Sequence, residues 1–248
     1  MPPRLNLFTN RERANSFGGA AHNYDTHRPR YPDQLIDDVL ASGVRRLLDV
    51  GAGTGIASMQ FVERGVDVLA VEPDTRMASV AQVKGIPVEI AAFEQWEPAD
   101  RRFDRVVFAA SFHWVDPAVA LPKIRSILGD GGKLALIWNR LRPTRPTRAQ
   151  FESIYKDYMD IDARGADGAP DDLTDLLAGA GFTVTHRSYQ HNLHYSTQQW
   201  VDIAFTFSNH LTLAADKATE LRSKMADLIG PSGVSVGGDA LAILATPS

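Results

Sequence analysis

Residues 45–59 read RRLLDVGAGTGIASM, and this stretch decides the fold. Its apolar run over 47–50 predicts a buried parallel strand, with Asp49 near the end of that strand. The glycine-rich residues 51–55 predict a turn, and the apolar spacing over 56–62 predicts a helix after it. Glycines let the backbone turn tightly and approach a ligand closely. Strand, turn and helix together predict a nucleotide-type binding site.

The spacing of the glycines restricts the class of ligand. A dinucleotide-binding fingerprint has the pattern G-x-G-x-x-G, but here the third glycine, Gly55, comes one place early and Ile56 occupies the expected position. The phosphate-binding pattern G-x-x-x-x-G-K-[ST] is absent from the sequence. A second apolar run over 68–71 ends at Glu72, whose carboxylate can accept hydrogen bonds from both hydroxyls of a ribose.

The sequence LLDVGAGTG at 47–55, followed by VEPD at 71–74, resembles the class I S-adenosylmethionine (SAM) methyltransferases in residues and in spacing. The resemblance implies an α/β, Rossmann-like fold: a seven-stranded, mostly parallel sheet with an antiparallel last strand and helices on both faces. It implies SAM as cofactor and S-adenosylhomocysteine as product. It covers roughly residues 17–140 well and the remainder only by topology. It is strongest with the small-molecule "type 11" enzymes, including the trans-aconitate methyltransferase-like group.

These motifs and this resemblance together predict the cofactor-binding residues. They are Tyr24, Arg30, Asp49, Gly51, Ala52, Gly53, Glu72, Pro73, Met77, Ala92, Phe93 and Ala110. On spacing alone Met77 is typical of a core residue, whereas the resemblance places it beside the adenine. Phe93 follows the predicted third strand, where it can stack on the base or pack in the core.

The segment AHNYDTHRPRYP at residues 21–32 has two interpretations. Its prolines favour a rigid loop that leads into a helix. It also resembles the Y-D-x-x-R-P-x-Y-P segment that folds over the cofactor in many small-molecule methyltransferases. By that resemblance, Tyr24 and Arg30 face the methionine end of SAM, whose carboxylate suits an arginine.

Composition limits the classes of function. The 248 residues are 44% hydrophobic and 23% charged, which is typical of a soluble globular protein. The net charge of −4 argues against a nucleic-acid or membrane partner, because neither would meet a broadly basic surface. There is no cysteine, so structural disulfides and Cys-ligated metals are excluded. The N-terminus lacks a long apolar core, and we expect a cytoplasmic protein, monomeric or homodimeric, that binds a small molecule.

The remaining pattern predicts a single domain over 1–248 with additions around the sheet. Residues 1–32 are predicted to form an N-terminal arm or lid. Residues 140–170 and 196–230 are predicted to be helical inserts that cover the substrate pocket. The basic segment 139–148 is predicted to be a loop, either a solvated linker or a cluster of cations near the substrate entrance.

Further strands are expected over 88–92, 103–110, 134–138, 182–195 and 235–245, and helices over 148–159, 172–180 and 197–229. A flexible loop is expected over 160–171. Because Pro122 removes a helical hydrogen bond, a single turn over 117–121 and a separate helix over 122–128 are expected after the fourth strand.

His113 is the candidate catalytic residue because it follows the fourth strand, at the expected face of the site. A histidine can accept a proton near neutral pH, although it can equally support the loop or the cofactor. Tyr24, Tyr31 and His22 are further candidates, and no spacing of residues indicates a metal site.

The predicted reaction is SAM-dependent methylation of a small molecule. Methylation of a carboxylate suits the arginines at 28–30 and 140–148 and reduces the need for a base, since a carboxylate is already ionised. O-, N- and C-methylation of other acceptors remain open. So do a SAM-binding protein that catalyses another reaction, a non-catalytic binding protein and, disfavoured by the glycine spacing, an NAD-type oxidoreductase.

Overall fold

The computed structural model describes residues 4–41, 43–159 and 173–248. The strands are β1 (Arg46–Val50), β2 (Asp67–Val71), β3 (Val88–Glu89), β4 (Phe103–Ala109), β5 (Leu128–Arg145), β6 (Phe182–Gln190), β7 (Leu193–Tyr195) and β8 (Val234–Pro247). The α-helices are α1 (Arg11–Asn15), α2 (Ala21–His27), α3 (Asp33–Leu40), α4 (Ile56–Val62), α5 (Thr75–Val83), α6 (Pro117–Ile127), α7 (Arg148–Tyr155), α8 (Leu173–Gly179), α9 (Thr197–Ala204), α10 (Ser208–Leu211) and α11 (Ala215–Ile229). Short 3-10 helices cover Arg4–Thr9, Phe17–Ala20, Phe112–Trp114 and Gly230–Ser232.

All the strands join one sheet in the order β3-β2-β1-β4-β5-β8-β6, and β7 also pairs with β8. The first five strands are parallel, whereas β8 runs antiparallel to β5 and β6. This arrangement confirms the Rossmann-like fold with an antiparallel last strand. An eighth strand arises because the long strand expected over 182–195 is interrupted after Gln190, and both of its parts, β6 and β7, pair with β8.

Helices cover both faces of the sheet because the central strands are apolar on both sides. Neighbouring side chains of β1 point to opposite faces, so Leu47 packs with Ile36 and Phe61 while Leu48 packs with Phe108. These side chains are almost completely buried. The near-continuous apolar runs in the sequence are therefore strands that are enclosed from both faces.

The expected break before Pro122 is wrong, because α6 runs continuously from Pro117 to Ile127. The Asp116 carboxylate begins this helix by accepting a hydrogen bond from the Ala118 backbone N–H at 2.9 Å. Leu121 and Ile124, on either side of the proline, are buried against the sheet. Packing of this apolar face compensates for the hydrogen bond that proline cannot donate.

The expectation of a basic loop over 139–148 is also wrong over most of its length, because β5 continues to Arg145. The extension is stabilised by β8, which pairs with it residue by residue from Leu134 to Arg145. Arg140 forms an ion pair with Asp239 on the opposite strand. Arg140, Arg142 and Arg145 therefore lie on a strand and not in a solvated linker.

Three further boundaries differ from expectation. Most of the segment 21–32 is helical, because it contains α2. This helix docks on α9, where Asn23 Nδ2 donates a hydrogen bond to the Asp202 carbonyl at 3.3 Å. The third strand is only Val88–Glu89. The helical pattern over 197–229 divides into α9, α10 and α11.

The expected loop over 160–171 lies outside the described residues. Within the described part of the chain, no helix combines the length and the apolar character needed to cross a membrane.

Candidate active site

The carboxyl ends of three neighbouring parallel strands form a cleft of about 890 Å³, part of it open to solvent. The turn after β1 contributes Gly51 and Gly53, the end of β2 contributes Glu72, and the end of β4 contributes Ala110. Ligands of open α/β sheets bind at this edge, where strand order reverses between β1 and β4. The sheet topology thus brings together residues that are far apart in the sequence.

The glycine turn forms one wall of the cleft with its backbone. Gly51 and Gly53 have positive φ angles, +65° and +58°, which favour glycine. A Cβ atom on Gly51 would lie 2.6 Å from Ser111 Cβ, and one on Gly53 would lie 3.3 Å from Met77 Cε. Side chains would therefore fill the space next to the turn, and the cleft fits a ligand that approaches the bare backbone.

Glu72 is held rigidly at the wall of the cleft. Its Oε2 accepts a hydrogen bond from the Gly53 backbone N–H at 2.8 Å, and its Oε1 accepts one from the Asp74 N–H at 3.0 Å. Burial raises the pKa of Glu72 to about 7, in spite of these hydrogen bonds. Each carboxylate oxygen keeps acceptor capacity for a ligand, so Glu72 fits the ribose-binding role predicted for it.

Part of the cleft wall is apolar. Pro73, Met77, Ala92 and Phe93 line it, as the predicted set requires. Phe93 is buried and stacks on Trp96, with ring centroids 6.0 Å apart. The two interpretations of Phe93 are therefore compatible, because the ring packs in the core and also borders the cleft.

Asp49 does not reach the cleft. It is completely buried behind the glycine turn, where its Oδ2 accepts a hydrogen bond from Ser58 Oγ at 2.6 Å. Burial raises the pKa of Asp49 to about 6. The structure thus places the Asp49 side chain toward helix α4 and outside the lining of the cleft, and its contact with the cofactor stays a prediction.

A smaller recess adjoins the cleft beside the glycine turn. It is lined by Ala52, Tyr24 and Arg28, but not by Arg30. The Arg30 guanidinium forms an ion pair with Glu63, and more than half of its side chain is exposed. In the pattern Y-D-x-x-R-P-x-Y-P the arginine corresponds to Arg28, whereas Arg30 occupies an unspecified position. The cofactor contact of Arg30 stays a prediction.

Arg28 is fixed in place by neutral partners. Its Nε donates to Thr206 Oγ1 at 2.8 Å and its Nη2 to the Thr206 carbonyl at 3.2 Å. The guanidinium lies 4.0 Å from the ring centroid of Phe207 and 4.9 Å from that of Tyr24. A cation thus stands beside the recess of the glycine turn.

A second, larger chamber of about 1610 Å³ connects with the cleft at Phe17, Tyr24, Ala110 and Trp114, which line both. Its other walls include β5 and the helices α7, α9 and α10. Helix α11 packs against α7 and α9 from outside the chamber, and we call these four helices the outer helices. Phe151, Tyr155, Trp200, Phe207 and His210 project from this side. Leu221 and Met225 of α11 pack behind Trp200 and hold the outer helices together.

His113 lines this chamber from the 3-10 helix that follows β4. Its ring lies against Trp114, with centroids 4.7 Å apart. Burial, reinforced by the charge of Arg13, lowers the pKa of His113 to about 4. The imidazole is therefore neutral near pH 7 and can hydrogen bond to an acceptor molecule.

The other candidate residues differ in their positions. Tyr24 lines both the cleft and the chamber, whereas Tyr31 lines only the recess, where burial raises its pKa. His22 is exposed and lies outside the lining of these spaces. Tyr24 thus lies at the junction of the cleft and the chamber, and His113 lines the chamber alone.

The four arginines of the chamber come from four different places in the chain. Arg13 comes from α1, Arg28 follows α2, Arg142 lies on β5 and Arg148 begins α7. Sequence reasoning considered Arg142 and Arg148 but missed Arg13, because its position depends on the docking of α1 against α10 through Ser208. Arg140 and Arg145, predicted with the same cluster, are not part of this wall.

Comparison with known proteins assigns the family. A family profile for "Methyltransferase domain" matches residues 24–187. An uncharacterized methyltransferase of Mycobacterium tuberculosis is 31% identical over 236 residues, covering 94% of this chain and 93% of that protein. The chain therefore belongs to the methyltransferase family, and it is a class I SAM-dependent methyltransferase.

Solved structures share the fold. A protein of Anaeromyxobacter dehalogenans, provisionally assigned as a type II methyltransferase, superposes with a TM-score of 0.61 at 20% identity, covering 89% of this chain and 97% of that one. Phosphoethanolamine N-methyltransferase 2 of Haemonchus contortus, in complex with S-adenosylhomocysteine, has a TM-score of 0.53 at 15% identity, covering 98% of this chain and 60% of that one. The narrower trans-aconitate methyltransferase-like assignment stays a prediction.

Proposed function

We propose that this methyltransferase methylates a carboxylate oxygen of a small-molecule acceptor that binds in the chamber. One observation carries the proposal: the described residues that line the chamber include four arginines and no aspartate or glutamate. A chamber whose described lining carries only positive formal charges favours an anionic ligand, because charges interact more strongly where water is partly excluded.

The residues around the cleft fit SAM. Glu72 would accept the ribose hydroxyls, Arg28 and Tyr24 would hold the methionine end, and Met77 and Phe93 would enclose the base. The chemistry that bound SAM supplies is an electrophilic methyl group: the acceptor oxygen bonds to the methyl carbon as the carbon–sulfur bond breaks, and the electron pair stays on sulfur.

A carboxylate acceptor agrees with the electrostatics of His113. An ionised carboxylate has no proton to lose, so the reaction needs no general base. A histidine with a pKa of about 4 is a weak base but a good neutral hydrogen-bonding group. We propose that His113 orients the acceptor and that the arginines bind its carboxylate.

The chemical nature of the product tests this proposal. The purified protein is incubated with methyl-labelled SAM and pairs of acceptors, each carboxylic acid being matched with its primary amide. Methyl esters release volatile labelled methanol in mild base, whereas N- and C-methyl products do not. We expect base-labile label with the acids and none with the amides. Base-stable label would contradict carboxylate methylation while leaving the enzyme class intact.

A further inference from the structure

We propose that Lys123 is a positioning residue for cofactor binding: its ammonium holds three backbone carbonyls together and so fixes the wall of the cleft formed by residues 91–94. This inference rests on the placement of SAM in the cleft proposed above. It is carried by the hydrogen bonds of a lysine that itself lies outside the lining of the cleft, the recess and the chamber.

The wall over residues 91–94 lies beyond the end of its strand. Strand β3 has only two residues and ends at Glu89, so the chain leaves the sheet before it reaches the cleft. All four residues of the wall line the cleft, and three of them keep part of their surface exposed. A turn follows, in which the Gln95 and Trp96 N–H groups both donate to the Ala92 carbonyl at 2.9 Å. The position of this wall therefore depends on contacts other than strand pairing.

Lys123 supplies such contacts from helix α6. Its Nζ donates to the Phe93 carbonyl at 2.9 Å, to the Glu94 carbonyl at 2.9 Å and to the Trp96 carbonyl at 2.8 Å. An ammonium has three N–H donors, so each can serve one of these carbonyls. Nζ also lies 5.4 Å from the centroid of the Phe93 ring. Surface lysines normally keep this group in water, whereas here it binds the loop.

The ammonium allows the three carbonyls to converge. Carbonyl oxygens that point toward one place repel one another, because each carries a partial negative charge. A cation at that place replaces the repulsion with charge-assisted hydrogen bonds. Without the cation, the carbonyls would turn toward water and residues 91–94 would move with them. The charge of Lys123 thus determines the shape of this wall of the cleft.

A second contact ties the same loop to the start of α6. Glu94 Oε1 accepts a hydrogen bond from the backbone N–H of Asp116, the residue that caps this helix, at 3.0 Å. Lys123 follows seven residues later, which corresponds to about 10 Å along a helix. Two attachments this far apart prevent the loop from pivoting about either one. Loss of the Lys123 ammonium therefore removes one of two attachments and should loosen the wall without detaching it.

The test compares wild-type protein with K123M, which keeps a long apolar side chain but lacks the ammonium. The matched control is R125M. Arg125 lies on the same helix, donates to the Gly181 carbonyl and lies 5.4 Å from the centroid of the Phe182 ring, but residues 180–182 do not line the cleft. Thermal unfolding verifies that each variant is folded, and K123Q replaces K123M if K123M is not.

Calorimetric titration measures the affinity of each protein for S-adenosylhomocysteine and for adenosine. We expect K123M to bind S-adenosylhomocysteine about tenfold more weakly, because its wall no longer holds one position. Adenosine should lose affinity by the same factor, since it contains the base that the wall encloses. R125M should bind both ligands as the wild type does.

Hydrogen exchange gives a second readout that needs no ligand. The amides of residues 91–97 should exchange faster in K123M than in the wild type, because their loop opens more often. In R125M these amides should exchange at the wild-type rate. The two measurements together connect the mobility of the loop with the affinity for the cofactor.

Four results would overturn the inference. They are wild-type affinity of folded K123M for S-adenosylhomocysteine, an equal loss in R125M, a loss that adenosine does not share, and unchanged exchange over residues 91–97 in K123M. Each of them leaves SAM in the cleft as long as Gly53→Arg abolishes binding of S-adenosylhomocysteine. If Gly53→Arg binds it as the wild type does, the placement of the cofactor fails and this inference fails with it.

Discussion

The cofactor half of the molecule consists of β1 to β4 with their connecting turns. It differs from the outer helices in the kind of surface that lines its binding space. In the cofactor half, the backbone of the glycine turn and the Glu72 carboxylate form the polar wall of the cleft, so few residue types fit these positions. In the outer helices, the binding surface consists of apolar rings on amphipathic helices, and many combinations give equivalent packing. Substitutions should therefore affect cofactor binding sharply in the first region and change acceptor preference gradually in the second.

The largest effect is expected for Gly53→Arg. The positive φ of Gly53 strains any other residue, and a Cβ at this site would lie only 3.3 Å from Met77 Cε, so a long side chain would extend into the cleft. Calorimetric titration should show the affinity for S-adenosylhomocysteine falling by more than about 100-fold, since the close approach of the backbone is lost. Gly85→Arg is the matched control, because Gly85 has a similar φ of +84° but open space around it. Wild-type affinity in Gly53→Arg would place the cofactor elsewhere.

Glu72→Gln should weaken binding of S-adenosylhomocysteine by about 100-fold, since a charged acceptor of two hydroxyl groups is replaced by a neutral amide. The wild-type protein should also bind more tightly as pH rises. The pKa of Glu72 is raised to about 7, and only the ionised form accepts both hydrogen bonds. Affinity should therefore fall as pH decreases from 8 to 6, and this dependence should be absent in the variant. A flat profile in the wild type would contradict the role of Glu72.

Arg28→Gln and Arg30→Gln separate two neighbouring arginines. Loss of the cation beside the glycine turn should weaken binding of S-adenosylhomocysteine by about tenfold or more, in line with a charge-assisted hydrogen bond. Arg30→Gln should have no effect, because that guanidinium lies on the surface with Glu63. The reverse result would confirm the prediction made for Arg30 from its segment.

His113→Asn should have the smallest effect on catalysis if the acceptor is a carboxylate. Because a carboxylate acceptor has no proton to remove, we expect kcat/KM to fall by about tenfold or less. This loss is below the range for loss of a general base. The wild-type rate should show no inflection from this histidine between pH 6 and pH 8, because its pKa is about 4. A loss of more than about 100-fold, or an inflection near pH 6.5 that the variant lacks, would indicate a base and a protonated acceptor.

The contrast between the two regions explains which features could be predicted from the sequence. Gly51, Gly53 and Glu72 were found because a tight turn and a ribose acceptor each require particular residues at particular spacings. Asp74 begins α5 in the same local way, because its carboxylate accepts hydrogen bonds from the Arg76 and Met77 N–H groups. Local chemistry determines these features, so a short stretch of sequence is enough to predict them.

Features that depend on long-range packing could not be predicted in the same way. The extension of β5 to Arg145 depends on pairing with β8, about a hundred residues later in the chain. The presence of Arg13 in the chamber depends on a hydrogen bond to Ser208. Trp200 and Phe151 occupy positions typical of any amphipathic helix, and only the packed structure shows that their rings line a chamber.

The central claim, that the cleft beside the glycine turn is the SAM site, is tested most directly by calorimetric titration of the wild-type protein with SAM, S-adenosylhomocysteine and NAD. The structure predicts micromolar binding of both SAM species and no binding of NAD, and the Gly53→Arg protein should lose that binding. Binding of NAD, or absence of binding by either SAM species to folded wild-type protein, would contradict the account.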